Sequence, residues 1–93
     1  METTQLKRIA YRRKECVKMP YDAMLDVDGY DALEIFTGYF GGMNVYVPSM
    51  RTIFADCIEQ EILAEHSRLS MRELVGKYGY SERHIREMIR RRR

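Results

Sequence analysis

The sequence predicts a mainly α-helical fold: N-terminal dimerisation helices, one short β-strand paired across a homodimer, and a C-terminal three-helix helix-turn-helix domain. Three observations predict it. The last third of the chain holds two complete helix-start signals separated by a glycine. Met43–Val47 alternates as one isolated strand would. The apolar residues of 31–40 cover more of a helix than a single narrow stripe.

A chain of 93 residues makes one small domain, divided here into a basic arm (1–20), a dimerisation region with a linker strand (21–48) and a helix-turn-helix unit (49–93). A chain this short leaves roughly a third of its unfolded surface exposed, so burial against a second copy helps it fold. Apolar and charged residues, at 45% and 32%, are balanced as in soluble globular proteins. No apolar run approaches the roughly 18 residues of a membrane span. The first residues also lack the apolar centre of a secretion signal, so a cytoplasmic location without membrane attachment is expected. There Cys16 and Cys57 stay reduced, and Cys57, on an apolar helix face, serves as a small hydrophobe.

Net charge is only +2, but it is segregated. Residues 1–20 carry six Lys/Arg against two acids, 21–48 carry five acids and no base, and 49–93 carry ten bases against seven acids. Two basic ends flanking an acidic middle imply different partners for each.

Along the arm, "LKRIAYRRKECVK" keeps no clean helical or strand period, and a partly helical arm that orders against a partner or nucleic acid is one reading, a solvated tail the other. A short helix is expected over 21–27. Asp31 then stands as an N-cap with Glu34 three residues on, opening a helix whose Leu33, Ile35, Phe36, Tyr39 and Phe40 need cover on several sides. Gly41 and Gly42 end it. Met43, Val45 and Val47 face one way and Asn44 and Tyr46 the other, until Pro48 withholds a ladder donor. A lone strand has two unpaired edges, which the same strand of a second copy, antiparallel about a two-fold axis, satisfies. Leu33, Phe36, Tyr39, Phe40, Val45 and Val47 are therefore assigned to dimerisation.

From Ser49 to about His66, Met50, Ile53, Phe54, Cys57, Ile58 and Ile62 recur at helical spacing. Ser70 with Glu73 forms a capping box, with Leu69 placed to staple Leu74. Gly79 supplies a turn, and Ser81 caps a last helix with Tyr80 placed against Ile85. In a DNA-binding helix-turn-helix the second helix enters the major groove with its N-terminal residues at base edges. Arg83 and Arg86 suit guanine, whose O6 and N7 accept two bonds from one guanidinium, and Ser81 and His84 stand near the same edge. Arg90, Arg91, Arg92 and Arg93 are assigned to phosphates, with Arg72 and Lys77 bracing from the preceding helix.

The order of these parts, with "GGMNVYVP" (Gly41 to Pro48) followed by "ELVGKYGYS" (Glu73 to Ser81), resembles the Mor transcription activator family, the phage middle-gene regulators and their bacterial relatives. The resemblance spans roughly residues 30–93. It implies a homodimer on a dyad-symmetric promoter element, activation through contact with RNA polymerase, and a linker lying near double-stranded DNA at Asn44 and Tyr46.

An enzyme is not expected. His66, His84, Cys16 and Cys57 lack metal-ligand spacing, and no phosphate loop or Ser/His/Asp arrangement is present. Asp22, Asp26, Asp28 and Asp31 lack the ligand ladder of a calcium loop, so neither cofactor nor metal is expected. The rival to DNA binding is a dimeric protein-interaction module built on the same fold.

Overall fold

The computed structural model describes residues 3–91, and among them the chain forms α-helices without a β-strand. Helix α1 (Thr3–Arg12) runs into a single 3-10 turn, Lys14–Cys16. Short α2 (Tyr21–Met24) and longer α3 (Gly29–Phe40) follow, then the extended linker, α4 (Met50–Ile53) and α5 (Ala55–Glu65). Helices α6 (Met71–Tyr78) and α7 (Glu82–Arg91) complete the chain.

The core is built by α1, α5, α6 and α7. Cys57, Ile58, Ile62, Leu74, Tyr78 and Ile85 are fully buried there, joined by Ile9, Ala10 and Val17 from the segment read as an arm. The reason α1 docks is visible in its burial pattern: Ile9 and Ala10 face inward while Lys7, Arg8 and Arg12 stay in water. Both cysteines are free. Burial pushes the Cys57 thiol up to about 11, with Cys16 and Asp56 adding to the effect. The neutral S–H donates to the Arg13 carbonyl at 3.4 Å, so Cys57 is the small inert hydrophobe its helix position predicts.

Three expectations are corrected. Helix α3 begins at Gly29, with Asp28 rather than Asp31 at the N-cap position, and the Asp28 side chain makes no capping bond. Asp31 lies in the first turn, where a carboxylate suits the positive end of the helix. The helix expected from Ser49 to His66 is interrupted at Phe54, whose backbone leaves helical values. Finally, Met43–Val47 is not a strand here: a ladder needs a second segment at about 4.8 Å, none of the described residues supplies one, and the sequence placed that partner on a second copy.

The ends of α3 and α6 follow the glycine logic. At Gly41 a Cβ would meet the Thr37 carbonyl oxygen at 2.5 Å, so only glycine closes α3 this way. Gly79 turns the chain with φ of 74°, the left-handed value that L side chains resist.

None of residues 21–53 is buried, although the segment contains Leu33, Ile35, Phe36, Tyr39, Phe40, Val45 and Val47. Within it an aromatic cluster forms: Phe40 meets Phe36 at 5.1 Å, Tyr21 at 6.3 Å and Tyr39 at 6.4 Å between ring centres. The chain extends 45 Å along its longest axis, with a radius of gyration of 15.3 Å, whereas a compact domain of this length has roughly 12–13 Å.

Candidate nucleic-acid interface

The two helices of the C-terminal pair are set by local bonds. Ser70 Oγ accepts from Glu73 N at 3.1 Å while Glu73 Oε1 accepts from Ser70 N at 3.0 Å, the reciprocal box expected. Ser81 Oγ accepts from His84 N at 3.1 Å and starts α7. Ile85 and Met88 anchor α7 in the core. Its opposite face, Glu82, Arg83, Arg86, Glu87 and Arg90, borders a shallow open hollow on the surface.

Charges on that face are mostly paired with one another. Arg86 bridges Glu82 one turn back, Arg90 holds Glu87 at 2.5 Å, and Arg91 reaches Glu59 of α5 at 2.8 Å. The Arg90 guanidinium holds the Glu87 carboxyl below its ordinary value, while Glu87 raises Arg90 in return. Arg83 and Arg72 have no ion-pair or hydrogen-bond partner among the described residues, so both guanidinium groups are free for an external acceptor. Ser81 and His84 are exposed beside Arg83. Arg92 and Arg93 lie outside the described residues. In the linker, Asn44 and Tyr46 are exposed, Tyr46 at 86%.

Lys77 is committed elsewhere. Its ammonium meets both oxygens of Glu65, at 2.8 and 3.0 Å, and the buried Tyr78 hydroxyl donates to the same carboxylate. Burial raises the Glu65 carboxyl, but hydrogen bonds from Lys77 and Tyr78, with the charges of Lys77 and Arg68, outweigh it and hold the group below its ordinary 4.5. Burial and Glu65 together push the Tyr78 hydroxyl above its ordinary 10. A depressed carboxylate stabilises the fold above its unfolded value and loses that contribution as pH falls through the folded one. Tyr78→Phe removes one donor, so its unfolding free energy is expected to decline less between pH 5 and 3 than that of the parent chain. Identical acid profiles in urea titrations at each pH would remove Tyr78 from this bridge.

Two groups escaped sequence reading. Glu61 is 3% exposed, yet its carboxylate accepts from Arg12 at 2.8 and 3.0 Å and from Arg13 at 3.1 Å, which ties α1 to α5. The signal available was an acid on the apolar side of a helix, with an Arg-Arg pair far upstream. Arg51 of α4 donates to the Tyr78 carbonyl at 2.6 Å, and no local pattern marks it.

Taken together, the capped α6, the glycine turn and α7 with its arginine-bearing outer face have the arrangement of a helix-turn-helix. The model of the Mor transcription activator family matches residues 6–93, and the chain belongs to this family of transcription regulators. Neither curated proteins nor solved structures gave a match. Among the described residues no helix is long and apolar enough to cross a membrane, and no group of three or more His, Cys, Asp or Glu is placed to hold a metal ion.

Proposed function

We propose that the protein is a sequence-specific DNA-binding transcription activator that binds a dyad-symmetric promoter site as a homodimer in the cytoplasm. The observation that carries this reading is the exposed face of α7, anchored from behind by Ile85 and Met88 and offering the unpaired Arg83 beside Ser81 and His84. Arg83 and Arg86 read base edges, with Ser81 and His84 beside them. Arg72, Arg90 and Arg91 grip phosphate, and Lys77 joins them by exchanging Glu65 for it.

Dimerisation is supported by the unburied apolar content of residues 21–53, since a second copy is the cover that a two-fold assembly supplies. Leu33, Phe36, Tyr39 and Phe40 then meet their counterparts, and the extended linker pairs with its own copy through Val45 and Val47. Asn44 and Tyr46 face the duplex, and the acidic helices α2 and α3 are left to contact RNA polymerase.

Selection of bound duplexes from a random pool, followed by titration of the winner at several salt concentrations, tests this reading. An inverted repeat is expected, with affinity falling by orders of magnitude between about 50 and 200 mM salt. Sedimentation at micromolar concentration is expected to show a dimer. A chain that retains no duplex at low salt is a protein-interaction module instead, and a monomer removes the paired linker.

A further inference from the structure

We infer that Arg51 is a positioning residue for base recognition: it clamps the turn before α7 and, through the Tyr80 ring, fixes the pose of His84. The inference rests on the DNA-binding reading above and adds to it a residue of α4, outside the α6–α7 pair.

Tyr78 ends α6, and its carbonyl is one of the acceptors that a helix C-terminus leaves without an internal partner. Arg51 supplies the missing donor, with Nη2 at 2.6 Å from that oxygen. The same guanidinium lies 4.3 Å from the centre of the Tyr80 ring, on the far side of Gly79. A planar cation over an aromatic face is attracted by the ring's negative π surface, and a guanidinium does this while still donating in its own plane. Tyr80 in turn lies 4.6 Å from the His84 imidazole, tilted by 39°. Arg51, Tyr80 and His84 thus form one stack that bridges the turn and ends at the exposed first turn of α7.

The clamp acts on the turn itself, in addition to the Ser81 cap and the Ile85 anchor that hold α7. Gly79 gives the turn its left-handed bend at the cost of backbone freedom, and Ser81, Glu82, Arg83 and His84 are all exposed. Arg51 also lies three residues beyond Pro48, where the linker ends, and Ser49 caps its helix by accepting from Thr52 N at 3.2 Å. Arg51 therefore joins the helix that follows the linker directly to the turn before α7. Affinity from phosphate contacts does not need this, but a bidentate base contact depends on where the helix start points.

The test uses the full chain on the selected duplex and on a scrambled duplex. Arg51→Ala is expected to lower the ratio of the two affinities about tenfold while changing scrambled binding by less than about twofold. Arg51→Lys, which keeps the charge but not the fork, falls between Arg51→Ala and the parent, and Tyr80→Phe keeps the parent ratio. In a His84→Ala background, Arg51→Ala adds little, because both act through one stack. Equal loss on both duplexes makes Arg51 a phosphate contact or a general support of the fold, and an unchanged ratio removes it altogether. A readout without DNA separates this inference from the function it rests on. The His84 ring protons, shifted by the Tyr80 ring, are expected to move toward free-imidazole positions in the NMR spectrum of Arg51→Ala and to stay put in Tyr80→Phe. A parent chain that binds no duplex refutes the proposed function, whereas unmoved His84 resonances in Arg51→Ala refute the clamp.

Discussion

Replacing Arg12 and Arg13 together by methionine is expected to cost about 3–5 kcal/mol of folding free energy, the range for a buried charge that loses its partners. The two guanidinium groups are the hydrogen-bonding and charge partners of the Glu61 carboxylate, whose side chain is 4% exposed. Without them the carboxylate is left buried beside Cys57, Ile58 and Ile62 with no charge partner. Domains of this size have about 5–15 kcal/mol in total, so the double variant approaches the unfolding threshold.

Arg12→Met alone is expected to cost much less, because Arg13 remains and Arg12 is more than half exposed, which screens its pairing. Adding Glu61→Leu to the double variant removes the orphaned charge and is expected to restore most of the loss. Urea unfolding followed by far-ultraviolet circular dichroism reads all three. A double variant within about 1 kcal/mol of the parent would mean that α1 is not held by this pair and contributes only Ile9 and Ala10.

What was legible in the sequence divides by range. The capping box at Ser70 and Glu73, the turn at Gly79 and the cap at Ser81 are interactions between residues four or fewer apart, and each is present as expected. Apolar spacing likewise found the buried side of α5 at Cys57, Ile58 and Ile62. The docking of α1 was not legible, because its stripe is narrow and its anchor, Glu61, lies 49 positions from Arg12. Nor was Arg51, whose partner carbonyl is 27 positions away and carries no side-chain signature. The alternation at Met43–Val47 records which side chains suit a pleated, half-buried surface. It does not supply the ladder partner, which is expected on a second copy, and among the described residues the segment forms no strand. The capping signal at Asp31 misled for a related reason, since Asp28 and Asp31 both suit a helix start and the chain enters the helix at the earlier one.

Arg83→Ala is expected to reduce affinity for the selected duplex by about 1–3 kcal/mol, roughly five- to 150-fold, and to flatten the preference at one base pair of each half-site. The structure separates Arg83 from the other arginines of α7. Arg86, Arg90 and Arg91 each hold a carboxylate, whereas Arg83 holds none among the described residues. A free guanidinium would meet guanine without first giving up a bond, so the full effect is expected at Arg83. Arg86 gives up Glu82, an exposed pair worth about 0–1 kcal/mol, and its loss is expected to be felt slightly less. Glu82→Gln releases Arg86 and removes a charge that repels phosphate. It is expected to raise affinity for scrambled duplex more than for the selected one, narrowing discrimination. Arg91→Ala is expected to lower binding to every sequence alike and to shorten the salt slope by about one, as a phosphate contact does. Titrating these variants against the selected duplex and its single-base changes resolves the roles: a uniform loss for Arg83→Ala across all duplexes makes it a phosphate contact and leaves base reading to Ser81, His84 and Arg86.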